Sequence, residues 1–206
     1  MNEYWSVAAI GAAILCFSFS HASVEAAPEV PENIFRWVQS SARTNYYFNR
    51  QQICFDVHED GTIDTDNLIV PVLKTFDDVM INDVVSKRRW NGKNLQGFDD
   101  FVGVSEYLTI NLPEKKVSVN EVNYLDSTWT SLAVERSEAE ISLGDLSEKS
   151  LDARFYDRII DFALRNQLVL ADRTKGDLEA SVREKLAAAQ EAYRADNRPD
   201  RPSDNE

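Results

Sequence analysis

The run DVHEDGTIDTD, Asp56 to Asp66, places carboxylates around a single glycine at a spacing that calcium loops use. Aligned on Gly61, the chain puts Asp56, His58, Asp60, Thr62 and Asp64 on ligand positions of that loop and Ile63 on its apolar position. Asn67 stands where a bidentate glutamate is needed, and His58 offers a nitrogen where a hard cation prefers oxygen. The flanks QICF and NLIVPVL are β-like, whereas a calcium loop joins two helices. The stretch therefore predicts a hairpin loop in which Asp60 and Gly61 supply the turn. A weak, exposed calcium site is the alternative, and no metal ligand is assigned.

A second cluster, VSKRRWNGKN at 85–94, gathers Lys87, Arg88, Arg89 and Lys93 around Trp90 and the turn pair Asn91 and Gly92. Guanidinium groups bind carboxylate, sulfate or phosphate through paired N–H donors, and a tryptophan face stacks on cations and flat groups. These five residues are the candidate binding patch, suited to a protein partner or an acidic glycan. The competing expectation is a solvated strand end or loop that neutralises the nearby FDD and GFDDF.

Other chemistry is poorly supplied. With residues 1–26 removed as a leader, the one histidine left, His58, and the one cysteine left, Cys54, do not furnish a zinc site of several imidazoles or a thiolate pair. The seven glycines form no phosphate loop, dinucleotide fingerprint or nucleophile elbow. The many carboxylates offer too many pairs for spacing to select a glycosidase-like dyad. The expectation is a protein that is not an enzyme and carries no cofactor. Its 22 Lys and Arg against 35 Asp and Glu give a net charge of -13, which argues against nucleic acid as a partner.

The elements that must carry these residues come next. With 206 residues and 43% hydrophobic content, the chain can build one core. Val7 to Ser20 is an apolar run followed by small residues, with SHA and VEA ending at Ala22 and Ala26 as candidate cleavage sites. Residues 1–26 are accordingly expected to be a signal peptide, and the protein to be exported: periplasmic, at the cell surface or extracellular. The run is too short for a stable membrane span. Removing it takes away Glu3 and Glu25 but no base, leaving a charge of -11. It also leaves Cys54 as the one cysteine, read from ICF as a small core residue.

After the linker PEVPEN, short runs rich in aromatic and β-branched residues predict strands at 33–39, 44–50 and 52–58. NLIVPVLKTF at 67–76 predicts a further strand, which Pro71 assigns to an edge or a bulge. SEYLTINL and KVSVNEVNYL flank PEKK as a hairpin. In strict alternation Val117, Val119, Glu121 and Asn123 share one face and Ser118, Asn120, Val122 and Tyr124 the other, so neither is cleanly apolar. Trp129 falls in an expected last strand, STWTSLAV.

The last third is helical. Residues 147–167 place Leu151, Phe155, Ile159, Phe162 and Ala163 on one stripe, with Ser147 or Ser150 as cap. Beyond Gly176, a thinner stripe of Leu178, Val182, Leu186, Ala189 and Tyr193 predicts a second helix at 177–195. That helix can lie on the domain, self-associate or stand out as a stalk. The composition of DNRPDRPSDNE predicts an acidic disordered tail. The fold class is thus α+β: an antiparallel sheet of meander and hairpins, packed by a C-terminal amphipathic helix, with an extra helical segment. The organisation is a leader at 1–26, a globular domain at 27–170 and a helical segment with its tail at 171–206.

The order FRWVQSS with NYYFNRQQI, then LIVPVLKTF, then YLTINLPEKKVSVNEVNYLDS, then SEKSLDARFYDRIIDFA, resembles the small exported bacterial proteins grouped with surface-adhesin protein E. The likeness covers Ile34 to Gln167. The chain departs from that pattern at Asn49, where an aspartate is usual, and in VPVLKT, where a tryptophan commonly precedes the lysine. The resemblance implies an antiparallel sheet with packed helices and a role in the envelope or at the cell surface. The functional expectation is an exported, non-catalytic binding or adhesion module. A structural envelope protein assembling as a homo-oligomer through its C-terminal helix is the alternative, and a small-ligand carrier or hydrolase with a pocket between Asp77 and Phe101 is the third.

Overall fold

The computed structural model describes residues 29–197. The expected leader at 1–26 and the tail beyond Asn197 lie outside the described residues. Seven strands form one antiparallel sheet: β1 (Phe35–Ser40), β2 (Thr44–Asn49), β3 (Cys54–Val57), β4 (Ile63–Phe76), β5 (Phe101–Asn111), β6 (Lys116–Asp126) and β7 (Ser131–Ser142). Their order is β1-β2-β4-β5-β6-β7, with β3 also paired to β4. Four α-helices among the described residues accompany the sheet: α1 (Asp78–Trp90), α2 (Leu151–Arg165), α3 (Gln167–Arg173) and α4 (Ala180–Asp196). The protein is α+β, as its sequence predicts. No helix among the described residues is long and apolar enough to cross a membrane.

The acidic run forms the β3–β4 hairpin. Val57 pairs with Ile63, the His58 N–H donates to the Thr62 carbonyl at 2.8 Å, and Gly61 takes a left-handed φ of 87° that suits glycine. The Asp60 carboxylate accepts from the backbone N–H and the hydroxyl of Thr62, and Asp64 accepts from Asn67 and the Asp66 N–H. These bonds hold both carboxyl groups below the usual carboxylate range, against the opposing desolvation at Asp64. Among the described residues no group of three His, Cys, Asp or Glu is placed to hold a metal ion.

Two features of the sheet correct the sequence reading. Pro71 does not lie on an edge strand, because β4 is flanked by β5 on one side and by β2 and β3 on the other. On that second side β3 pairs up to Ile69 and β2 begins at Val72. The residue without an N–H thus falls where the neighbouring strand is interrupted, which satisfies the same constraint by another route. In β6 the strict alternation fails at a bulge: Leu108 pairs with Val119 but Tyr107 with Glu121, so Asn120 is extra. The phase slips by one there, and Val117, Val119, Val122 and Tyr124 come to share one face. A seemingly mixed strand thereby gains an apolar side.

The helices cover that face. Ser150 caps α2 by accepting from the Ala153 N–H at 3.0 Å, and Phe155, Ile159 and Ala163 of the predicted stripe are buried. They pack with Phe48, Leu68, Val70, Val72, Leu108, Ile110 and Val117 in the main core. The predicted helix ends earlier than expected, since Asn166 interrupts it before α3. Of the three fates open to the last helix, α4 takes the first: its Val182 and Leu186, with Leu178 just before it, pack into this same core. Gly176 permits the approach, because a Cβ there would meet the Gly61 carbonyl at 3.0 Å. The Asp177 N–H then donates to that carbonyl, tying the α4 entry to the β3–β4 hairpin.

A smaller core lies toward the other end of the same face. Phe98, Phe101 and Val104 are buried there with Phe76, Ile81, Val84, Val122, Tyr124 and Leu132 around them. Helix α1 covers it, so the segment at 85–94 is a helix end and its following turn, rather than the strand end or loop expected. Asp77 caps α1 by accepting from the Met80 N–H at 2.8 Å. Asp78 opens the first turn and Lys87, Arg88 and Arg89 close the last, the polarity a helix dipole favours. Trp129 is likewise not in a strand: it turns the chain between β6 and β7 at a φ of 64°.

Candidate functional site

Helical geometry scatters the basic cluster, because successive residues point about 100° apart around the axis. Lys87, Arg89, Trp90 and Lys93 are exposed, and Arg88 turns inward. Its side chain is 7% exposed and donates to a Glu135 carboxylate oxygen at 2.8 Å and to the Asn94 carbonyl at 3.3 Å. The guanidinium carbon lies 4.3 Å from the ring centroids of both Phe98 and Tyr124, so one cation meets two aromatic faces. Its Nε is buried without a hydrogen-bond partner among the described residues. Arg88 is therefore the anchor that fixes the end of α1 to β6 and β7.

The other residues of the cluster stay outside. Trp90 is 91% exposed, Arg89 sits beside it, and Lys87 lies one turn back, paired with Asp83 at 2.8 Å in an exposed i, i+4 contact. Lys93 follows the turn at Asn91 and Gly92 and stands 3.6 Å from Glu135. The end of α1 and its following turn, the outer corner, thus leave Lys87, Arg89, Trp90 and Lys93 exposed, and Arg88 is removed from it. Residues that sequence reasoning missed complete the arrangement: Glu135, Tyr124 and Phe98 receive Arg88.

A cavity of about 270 Å³ opens beneath α1. Val104, Val122 and Phe76 supply apolar surface, while Lys87, Arg88 and Lys93 supply charge on the helix side. Glu106 lies on the sheet side, 9% exposed, and both of its oxygens accept from Lys74, at 2.9 and 2.8 Å. With both oxygens engaged by one ammonium, Glu106 is a neutralised wall rather than a free base. A signal for this pair does exist in the sequence. Lys74 continues the phase of Val70 and Val72, and Glu106 that of Val104 and Leu108, so each strand carries one charge of opposite sign on its apolar side.

Tyr46 and Tyr156 border the same pair from β2 and α2. Burial, then the nearby carboxylates Asp152 and Glu106, push the phenol of each above its ordinary range. They remain neutral at physiological pH. Cys54, by contrast, lies in β3 beside Arg173, half-buried and free, with burial raising its thiol. Such a thiol is a poor nucleophile. His58 stays in the β3–β4 turn, 3.9 Å from Asp64, away from either cavity wall.

A second cavity, about 360 Å³, lies on the helix-free face between the N-terminal turn and the β6–β7 loop, lined by Phe35, Pro71, Leu73, Tyr107, Leu125 and Trp129 among others. Its lining is mainly apolar and, among the described residues, holds no ionisable group other than Tyr107. A scan against protein-family models and searches of curated proteins and of solved structures return no match for this chain.

Proposed function

We propose that this protein is an exported, non-catalytic binding module of the cell envelope or surface, of the kind its resemblance to surface-adhesin protein E implies. Its contact surface is the outer corner of α1, and its partner is a macromolecule presenting anionic oxygens, as an acidic protein segment or an acidic glycan does. The observation that carries this reading is Trp90, 91% exposed beside Arg89 on a helix end held by a buried anchor. Exposing a whole indole to water is costly, and tryptophan and arginine are the residues most enriched at binding hot spots. A rigid helix end also limits the entropy lost when these side chains are captured.

The two other functional readings draw on less. Self-association through α4 has lost the apolar positions Leu178, Val182 and Leu186 to the protein's own core. Hydrolysis lacks a free base at the cavity, where Glu106 is bound at both oxygens. Retention on immobilised heparin and on poly-glutamate tests the proposal directly. Binding should weaken with rising salt and fall severalfold in Trp90→Ala and Arg89→Ala, with melting temperatures unchanged. Equal retention of both variants and the parent would overturn it.

A further inference from the structure

We propose that the cavity beneath α1 is a binding site for a small amphipathic organic anion, a carboxylate carried on a short apolar body. Three observations meet there. Its floor is apolar, built from Val104, Val122 and Phe76, and its volume of about 270 Å³ suits a molecule the size of a short acyl chain or a single substituted ring. Its two carboxylates are already neutralised, Glu106 by Lys74 at both oxygens and Glu135 by Arg88 at 2.8 Å with Lys93 at 3.6 Å. Lys87 has only an exposed contact with Asp83, of the kind that holds a cation weakly. The charge left over at the cavity is therefore positive, in a chain whose net charge is -13.

The third observation is the unmet donor. Arg88 lines the cavity at 6% exposure, yet its Nε has no partner. Buried donors are nearly always paired, so an orphan on a charged side chain leaves part of the guanidinium charge uncompensated beside the cavity. A carboxylate supplies up to about four acceptor positions, which suit the ammonium groups of Lys87 and Lys93 at the rim of the cavity. Its head would sit among Arg88, Lys87 and Lys93, and its body over Val104 and Val122. This site shares Lys87 and Lys93 with the outer corner and differs from the polyanion surface in using neither Arg89 nor Trp90.

The test is an NMR titration of the purified protein with hexanoate, and with hexanol and hexylamine as probes of equal length but different charge. Hexanoate should shift Val104, Val122 and Tyr124 saturably and bind at least about tenfold more tightly than either control, the loss expected on removing one charge-assisted pairing. Val122→Phe, which fills the floor, and the surface change Lys93→Met should each weaken hexanoate binding. Trp90→Ala should leave it intact while reducing heparin retention, which separates the two proposals. Equal binding of hexanol and hexanoate, shifts confined to Arg89 and Trp90, or loss of hexanoate binding in Trp90→Ala would each overturn the cavity site.

Discussion

Removing the acid that faces Arg88 should cost more than removing Arg88 itself. In Glu135→Ala the guanidinium stays where it is, 7% exposed, with the Asn94 carbonyl at 3.3 Å and two ring faces as its remaining partners. A charged donor stripped of its acceptor in such a place costs about 2 kcal/mol, short of the 3–5 kcal/mol of a fully buried pair because Glu135 is 32% exposed. In Arg88→Met the stem still packs on Phe98 and Tyr124 and the orphan Nε is gone. Lost cation–π energy and the relieved donor then nearly cancel, leaving a cost within about 1 kcal/mol. The freed Glu135 keeps Lys93 and solvent as partners. Thermal unfolding followed by circular dichroism measures both variants, and Glu135→Ala should lower the melting temperature by about 4–8 °C in a chain of this size. The double variant should be more stable than Glu135→Ala alone. Arg88→Met costing more than Glu135→Ala would refute the reasoning, because it would make the ion pair, rather than the burial of its cation, the dominant effect.

Three other outcomes follow from the structure. Lys115 holds a φ of 53° in the β5–β6 turn, so Lys115→Gly should stabilise the protein by about 0.5–1 kcal/mol, read as a raised urea midpoint at unchanged slope. Tyr156 has a phenol raised above 10.0, so its contribution to stability is complete below that pH and is lost as pH climbs beyond it. The parent should therefore lose stability more steeply above pH 10 than Tyr156→Phe, in unfolding curves taken across the alkaline range. Calcium up to millimolar, the weakest range of extracellular sites, should leave the melting temperature unchanged, since Asp60 and Asp64 already accept from Thr62, Asn67 and Asp66. A dose-dependent rise would revive the calcium reading of the hairpin.

The fold was legible wherever a local pattern and its tertiary use agree. The α2 stripe at Leu151, Phe155, Ile159 and Ala163 with its Ser150 cap, and the Asp60–Gly61 turn, are written within a few residues of chain and could be read there. The β6 strand shows the opposite case. Its bulge at Asn120 exists because the two halves of the strand must present Val117 and Val119, then Val122 and Tyr124, to helices fixed elsewhere in the chain. Period-two counting assumes no inserted residue, so it assigned half of these side chains to the wrong face. Helix α1 escaped notice for a related reason: its exposed surface is too polar to show a stripe, and its signal lay in the Asp77 cap and the basic last turn.

The basic cluster was visible in the sequence, but its division of labour was not. Adjacency in the chain groups Lys87, Arg88, Arg89 and Trp90 as equals, whereas the helix sends Arg88 to a glutamate 47 residues away and leaves the others to solvent. No local rule pairs Arg88 with Glu135, because that contact depends on β7 folding back along β6. The same long-range pairing builds both the outer corner and the cavity beneath it. A change at Arg88 should therefore reach both surfaces at once. Changes at Trp90 or Val122 should each reach only one, and that asymmetry distinguishes a structural anchor from a residue that touches a ligand.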